Sequence, residues 1–250
     1  MNTKSFLLLV SCFSVMVFKT HAQKNVVKLN LPSLAFRNIY MSYERVLTEN
    51  KSVNIGLAFM PSRSFFTGRI ADDVRADNDN KIKYGNIRMS GFSVTPEFRF
   101  YTSSSKEAPR GFYLAPYLRY QNLTFKGEYT KSYTSNDYPL EAKHTGHFNG
   151  KGNYSVMAAG CQLGVQWLIA DRFSIDWSFF GIGLGSYKLE FTESSDDAGK
   201  TYYNVGGLGD FDLDWMPFNP KYSRTQNSRT GSMSTLLPHF RSGLSIGFAF

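Results

Sequence analysis

The stretch that most constrains the fold is the end of the chain, His239 to Phe250, which alternates up to the final residue. Its even positions carry Phe240, Ser242, Leu244, Ile246, Phe248 and Phe250, and its odd positions carry His239, Arg241, Gly243, Ser245, Gly247 and Ala249. Successive side chains of a strand point to opposite faces, so one face is apolar and the other small or polar. An exposed apolar strand would invite aggregation unless it closed a barrel. The pattern therefore predicts the closing strand of a β-barrel.

The front of the chain has the pattern of a secretory signal peptide. Lys4 supplies a positive charge, Phe6 to Phe18 form a short apolar run, and Ala22 ends a plausible cleavage site. We therefore expect residues 1–22 to be removed and residues 23–250 to form one exported domain. The apolar run is too short to span a membrane as a helix. A lipoprotein anchored at Cys12 is disfavoured, because that cysteine lies partway through the run.

Composition excludes several classes of protein. Beyond the signal the only cysteine is Cys161, so no internal disulfide forms, and no Cys and His cluster suggests zinc. No window approaches 18 consecutive apolar residues, which excludes a transmembrane helix. The formal charge is +8, but basic residues are scattered among acids, so nucleic acid is not an expected partner. An exported, aromatic-rich and helix-free chain is well explained by a membrane β-barrel, whose alternating spans give near-neutral hydropathy.

Eight alternating segments are visible along the chain. They are Val26–Leu31, Asn38–Leu47, Val53–Phe59, Ile87–Tyr101, Gly111–Phe125, Met157–Ile169, the segment from Phe173 to about Gly185, and the closing strand. Pro96 and Pro116 each remove a ladder donor, so we expect bulges there. The glycines Gly181, Gly183 and Gly185 predict a bend or bulge where the seventh alternation blurs.

The connections alternate between short and long. The turns after Leu47, Tyr101 and Ile169 are short, whereas the stretches 61–86, 127–152 and 192 to about 236 are long and hydrophilic and are predicted as loops. The first connection, 33–37, is the exception. Short periplasmic turns, long outer loops and an even strand count are the requirements of an outer-membrane barrel. Trp167 and Trp177 flank one short turn on the apolar face, where an interfacial aromatic girdle is expected.

These features resemble known outer-membrane barrels over essentially the whole mature chain. The terminal aromatic, with apolar residues at every second position before it, resembles the C-terminal signal by which such barrels are recognised and inserted. The chain is similar to the small eight-stranded OmpA and OmpX type. The segments Lys28-Leu29-Asn30 and Ser42-Tyr43-Glu44-Arg45 resemble an uncharacterised barrel family common in Bacteroidota.

The resemblance implies an all-β, closed eight-stranded antiparallel up-and-down transmembrane β-barrel, porin-like in build, in the bacterial outer membrane. It implies outer-membrane lipid and the barrel-assembly machinery as partners, the latter through Phe240, Leu244, Ile246, Phe248 and Phe250. It carries no catalytic motif, and no cofactor is expected.

If the apolar faces meet lipid, the opposite positions point into the lumen. These are Glu44, Glu97, Arg99, Arg119, Gln121, Gln162, Gln166, Asp176 and Arg241. An eight-stranded barrel has an interior only about wide enough for side chains, and buried charges there must be paired. We expect Glu44, Glu97, Arg99, Arg119 and Asp176 to form a salt-bridged plug. A proton or ion path is the weaker alternative, because no wide channel fits.

Catalytic and metal sites are not indicated. The pair His144 and His147 has no acid or nucleophile at a diagnostic spacing, and His239 and Ser242 would point to opposite faces. The aspartates Asp210, Asp212 and Asp214 lack the Gly and Glu of a calcium loop, since Trp215 and Lys221 occupy those positions. An extended strand explains them better.

Aromatic residues crowd the last polar stretch, at Tyr202, Tyr203, Trp215, Phe218 and Tyr222. Exposed aromatics favour recognition, so we expect a contact surface for a partner protein, a glycan or a lipid head group. The sequence thus favours a non-enzymatic barrel that is structural or partner-binding. One alternative is a lipid-modifying acyl hydrolase or acyltransferase, which would bring a Ser–His or Asp–His pair to the rim. The other is a secreted lipocalin-like barrel, in which inward Glu97, Arg99, Gln162 and Gln166 would be out of place.

Overall fold

The computed structural model describes residues 24–64, 82–84, 87–102, 107–135, 142–195, 221–224 and 228–250. The expected signal peptide lies outside these residues. The strands are β1 (Asn25–Asn30), β2 (Ile39–Thr48), β3 (Lys51–Ser64), β4 (Ile82–Tyr84), β5 (Arg88–Tyr101), β6 (Gly111–Ser135), β7 (Ala142–Ile169), β8 (Phe173–Ser195), β9 (Lys221–Arg224) and β10 (Ser228–Ala249), and the helix α1 spans Leu31–Ala35.

Eight strands form a ring closed by hydrogen bonds. The order is β1-β2-β3-β5-β6-β7-β8-β10, each strand antiparallel to its neighbours, and β10 pairs back with β1. Closure extends to the last residue, because the backbone N–H of Phe250 donates to the Asn25 carbonyl (2.9 Å). The predicted all-β, up-and-down arrangement of eight strands and the closing role of the terminal strand are confirmed.

The start of β1, the C-terminal Phe250 and the short turns lie at the same end of the ring. Only two residues, Glu49 and Asn50, join β2 to β3, and Ala170–Arg172 join β7 to β8. Ala170 and Asp171 have positive φ values of 50° and 58°, which a tight turn requires. The N–H of Ala249 donates to the Arg172 carbonyl (2.7 Å), which places the C-terminus beside this turn.

The first connection corrects the expectation of a helix-free chain. Asn30 caps α1 by accepting from the Ser33 N–H (3.0 Å), and Pro32 lies in its first turn. An asparagine cap followed by proline is a local helix-start signal, strong enough here for one turn. No helix among the described residues has both the length and the apolar character needed to cross a membrane.

Four strands are much longer than the alternation predicted. β6 and β7 pair continuously from Gly111↔Gln166 to Ser135↔Ala142, so most of the stretch 127–152 is strand rather than loop. The ends of the stretch 192–236 likewise belong to β8 and β10, and β4 and β9 pair with β6 and β10. We call the parts of these strands beyond the ring the extension: residues 121–135, 142–156, 187–195 and 228–235. Polar composition was misread as loop, although hydrophilic strands pair through their backbones equally well.

One predicted bulge is present and two are not. β8 takes three steps from Trp177 to Phe180 while β7 takes two from Val165 to Leu163, and β10 shows the same shift. This bulge precedes the glycines as expected, and it exchanges the outward positions of β8 from odd to even residues. At Pro96 and Pro116 the expectation is wrong. The β5–β6 register is unchanged across them, and the missing donor is accommodated by a gap in pairing.

Candidate functional site

The ring encloses a cluster of six charged side chains. We call Lys28, Glu44, Glu97, Arg99, Asp176 and Arg241 the charge network; they come from β1, β2, β5, β8 and β10. All except Arg241 are at most 4% exposed. They point inward because each occupies the strand position opposite an outward apolar residue. Three cations and three carboxylates make the network electrically balanced.

Short ion pairs connect the whole network. Lys28 Nζ lies 2.5 Å from both Glu44 Oε2 and Asp176 Oδ2. Arg99 bridges Asp176 (2.7 Å) and Glu97 (2.8 Å) through its two terminal nitrogens. Arg241 Nη1 is 2.5 Å from the second oxygen of Glu97. Since every charge has an opposite partner, the network removes most of the cost of burying ions.

Neutral donors satisfy the remaining carboxylate oxygens. The Tyr101 hydroxyl (2.6 Å) and the Ser52 hydroxyl (2.5 Å) donate to Glu44, and the Tyr113 hydroxyl donates to Asp176 (2.7 Å). Gln166 accepts from both Lys28 (2.8 Å) and Arg99 (3.1 Å). Chemically, this arrangement holds strands together and fills space.

A glycine makes room for one of these donors. The Tyr113 ring lies against Gly164, where a Cβ atom would stand 2.3 Å from the hydroxyl. The Arg99 guanidinium lies over the Tyr113 ring, 4.3 Å from the ring centroid. Tyr113 therefore depends on the absence of a side chain at position 164.

Three of the sequence-predicted residues, Arg119, Gln121 and Gln162, lie on the inner face without joining the network. Arg119 donates to Gln121 (2.8 Å), and among the residues that the structure describes it forms no salt bridge, so its expected place in the plug is wrong. It occupies the next inward position of β6 after Tyr117, whose ring contacts the Arg241 guanidinium. Gln162 is buried, yet neither amide atom has a hydrogen-bond partner within the described parts of the chain.

Sequence reasoning left three network contacts out. Lys28, Tyr101 and Tyr113 occupy the polar positions of their alternating segments, yet they are not among the residues expected in the lumen. The same two-residue alternation that selected Glu97 and Arg99 could have found them. It could not have shown that Lys28 contacts Asp176, which is 148 residues away.

The outward surface changes character along one cross-strand row. Tyr120 of β6, Met157 of β7 and Leu236 of β10 lie on the last apolar row, joined through Ser186 of β8. The next outward row toward the extension holds Asn122, Ser155, Lys188 and Ser234. On these four strands, every exposed large apolar side chain in the described residues lies on the ring side of this boundary.

The inward surface changes in the opposite sense. Beyond the boundary Val156 and Met233 are buried on the inner face, and Leu123, Leu189 and Phe191 are only half-exposed there. Outward neighbours such as Lys188 and Thr192 are exposed. The strands are therefore apolar outside and polar inside in the ring. In the extension they are polar outside, and the inner face is mainly apolar, with Glu193 and Gln121 as polar members.

The predicted apolar residues of the closing strand and the two tryptophans lie on the outer face. Phe240, Leu244 and Ile246 are exposed on the outer face, and Phe248 and Phe250 are half-buried there. Trp167 and Trp177 are also outward and exposed. Tyr202, Tyr203, Trp215 and Phe218 lie outside the described residues, as do Asp210, Asp212 and Asp214. Tyr222 lies in β9.

The described geometry of His239 does not bring it to Ser242. His239 points inward, and its Nδ1 lies 2.9 Å from the Tyr187 hydroxyl, while Ser242 faces outward. Within the described ranges no group of three or more His, Cys, Asp or Glu residues could hold a metal ion.

Comparison with known proteins gives a family for the chain. Residues 6–200 match the family described as Protein of unknown function (DUF3575). The chain belongs to the DUF3575 family. The matched part of this DUF3575 protein contains β1 to β8 and five of the six network charges, whereas β10, which closes the ring and carries Arg241, lies beyond it. No curated protein and no solved structure matches the chain.

Proposed function

We propose that this protein is a non-enzymatic integral outer-membrane β-barrel with a side-chain-filled lumen. The observation that carries the proposal is the exchange of apolar and polar faces at one row of β6, β7, β8 and β10. A strand surrounded by one solvent along its whole length has no reason to exchange its faces. A strand that leaves hydrocarbon and enters water must do so, because the outer surface then has to be polar.

The dimensions of the outward apolar surface agree with this reading. On β7 it extends from Met157 to Ile169, about 40 Å along the strand at ~3.3 Å per residue. With the tilt of about 40° that barrel strands adopt, this is about 30 Å along the barrel axis, close to the thickness of a hydrocarbon core. Soluble monomers rarely expose apolar patches larger than a few hundred Å². Lipid contact accounts for this surface.

The charge network supports a structural role for the lumen. Lys28, Arg99 and Arg241 are balanced by Glu44, Glu97 and Asp176, and hydroxyl and amide groups fill the space between them. An eight-stranded ring has an interior only about wide enough for side chains, and these groups occupy it, which leaves no wide path for ions. We therefore favour a plug over conduction. In planar bilayers the purified protein should give no steady current above the lipid background. A reproducible single-channel conductance would contradict the plug.

The other two readings have less support. A lipid-modifying enzyme would need a base paired with a nucleophile or acid at the rim. His239 is instead hydrogen-bonded to the Tyr187 hydroxyl. A lipocalin-like carrier would need an apolar interior, whereas the ring encloses the six charges of the network. A phospholipid or lipopolysaccharide acyl hydrolase assay of the reconstituted protein tests the enzymatic reading. Turnover that is lost in His239→Ala would support the enzymatic reading with His239 as the base. Turnover that survives in this variant would assign catalysis to other residues.

Fractionation tests the proposal as a whole. The expressed protein should sediment with outer membranes, resist extraction at high pH, and change its gel mobility when boiled, as closed barrels do. Recovery in the soluble periplasmic fraction, with unchanged mobility on boiling, would refute membrane insertion.

The sequence-based contact surface remains part of the proposal. We infer that the outer end of the protein binds an envelope or extracellular protein or glycan. Crosslinking of whole cells should give adducts that disappear when Tyr203, Trp215 and Tyr222 are replaced by Ala. Deletion of residues 192–236 is not a suitable control, because it would remove parts of β8 and β10. Adducts unchanged by the three substitutions would exclude this surface.

A further inference from the structure

A row of three cations crosses the outer face just beyond the apolar boundary. Arg88 of β5 pairs with Lys126 of β6, and Lys126 pairs with Lys151 of β7. All three side chains are exposed and point to the same outward face. We call these residues the cation row. They line a groove of about 750 Å³ together with Glu128 and Thr192.

The arrangement is unfavourable by itself. Side chains directly opposite on neighbouring strands stand about 5 Å apart at Cβ, and like charges in such positions destabilise a sheet. Arg88 is oriented by a hydrogen bond to the Ser62 hydroxyl (3.0 Å), which does not neutralise it. Neither Lys126 nor Lys151 forms an ion pair within the described residues, and Glu128 is the only acid lining the groove. The groove therefore carries an excess of two positive charges.

Ion pairing elsewhere on the same face shows a contrast. Lys188 of β8 lies two outward rows nearer the ring and is paired with Glu190 at 2.6 Å. Lys188 is thus paired with the acid two residues along its strand, whereas Lys126, which has Glu128 at the same spacing, forms no ion pair within the described residues. Such a concentration of positive charge is complementary to a multiply charged anion.

The height of the cation row above the hydrocarbon indicates what kind of anion it binds. Lys126 and Lys151 each lie six residues beyond the last apolar outward residue of their strands, Tyr120 and Met157. At ~3.3 Å per residue and a tilt of about 40°, their Cα atoms lie about 15 Å above the hydrocarbon. Arg88 lies four residues beyond Phe92, about 10 Å above it by the same measure. The headgroup layer is about 5–8 Å thick, so these Cα atoms lie outside it, and the long basic side chains reach its outer edge by bending toward the membrane along the strand.

Resting on the proposed membrane insertion, we propose that the cation row is a binding site for phosphate-bearing lipid headgroups of the outer leaflet. The phosphate contacts Arg88, Lys126 and Lys151, and the acyl chains run along Phe92 and Tyr120, whose rings contact each other in a tilted arrangement with centroids 5.8 Å apart. Arginine and lysine are the side chains that bind phosphate most strongly. The apolar surface below supplies the acyl contact, so a lipid suits the site better than free phosphate.

Native mass spectrometry of the full protein in neutral detergent micelles tests the site. The probes are phosphatidic acid, diacylglycerol with the same chains, and inorganic phosphate. Phosphatidic acid should bind in preference to diacylglycerol, and inorganic phosphate should not displace it. The double variant Lys126→Gln/Lys151→Gln should weaken phosphatidic acid binding about thirtyfold, since each basic group near a membrane surface contributes about fivefold.

Two further variants make the result specific. Lys188→Gln/Lys221→Gln removes the same charge from the extension and should change the affinity by less than about twofold, because exposed charges outside the row act weakly. Glu128→Gln should tighten binding about fivefold by removing the acid from the groove.

Equal binding of diacylglycerol and phosphatidic acid, or equal losses in the two double variants, would overturn the proposal. Displacement by inorganic phosphate at matched concentration would assign the row to a soluble anion and overturn the lipid assignment. Gel mobility on boiling separates these failures from failure of membrane insertion. A folded, inserted protein without phosphate preference refutes only the cation row, whereas a protein that never inserts refutes both proposals.

Discussion

Removal of Lys28 is the sharpest perturbation of the charge network. Its ammonium group lies 2.5 Å from two carboxylates, Glu44 and Asp176, and its side chain is 1% exposed. Methionine has a similar length and no charge, so Lys28→Met leaves the packing nearly unchanged and the three buried acids facing only two cations. Breaking a buried ion pair by removing one partner costs ~3–5 kcal/mol.

A double-mutant cycle isolates the electrostatic part of that cost. Glu44→Gln keeps an oxygen that can accept from Tyr101 and Ser52, and it removes the charge that Lys28 neutralises. We expect Lys28→Met/Glu44→Gln to lose less free energy of unfolding than the sum of the single variants, by about 2 kcal/mol. Restoring charge balance should therefore recover part of the loss.

Reversible unfolding in urea, followed by tryptophan fluorescence in detergent or lipid vesicles, measures these free energies. Lys24→Met is the matched control, because Lys24 precedes the same strand and is exposed. If Lys28→Met cost less than about 1 kcal/mol and matched Lys24→Met, the network would not stabilise the ring, and the reasoning from buried pairs would fail.

Three further results are expected. Gly164→Ala should displace Tyr113 from Asp176 and cost ~1–3 kcal/mol in the same unfolding assay, whereas Gly152→Ala, with its nearest contact at 3.7 Å, should be nearly neutral; equal costs would remove the special role of Gly164. Leu163→Arg places a charge at the middle of the apolar surface and should cost ~2–4 kcal/mol in vesicles, against about 0–1 for Ser155→Arg beyond the boundary; the reverse order would contradict the depth assignment. Arg119→Gln should change stability by less than about 1 kcal/mol, because Arg119 has no carboxylate partner among the described residues; a loss comparable to that of Lys28→Met would place it in the network after all.

Local pattern was sufficient to predict the ring. Two-residue alternation and short turns define each strand of an up-and-down sheet, and the apolar face of the terminal strand indicates closure. The blurred alternation after Trp177 also predicted the bulge, because a single inserted residue in β8 exposes both Phe179 and Phe180.

The extension was missed for a physical reason. Its strands alternate as the ring strands do, for instance from Tyr187 to Phe191, but with the apolar face reversed and the outer face polar. The average polarity of these stretches therefore suggested loops.

The contacts of the charge network were missed for a different reason. Alternation assigns Lys28, Arg99 and Arg119 to the same inner face, and only the stagger of strands around the closed ring decides which of them reach a carboxylate.

The central claim is that the outer surface passes from hydrocarbon to water at one row. Single cysteines placed at outward positions of β7, in a Cys161→Ser background, can carry spin labels in reconstituted vesicles. Labels at residues 157, 159, 163, 167 and 169 should collide with oxygen and be protected from a water-soluble nickel reagent, and labels at 149, 151, 153 and 155 should show the reverse. If the reagent reached all of these positions alike, or if the change fell well away from the interval between Ser155 and Met157, the proposed membrane-spanning ring would be contradicted.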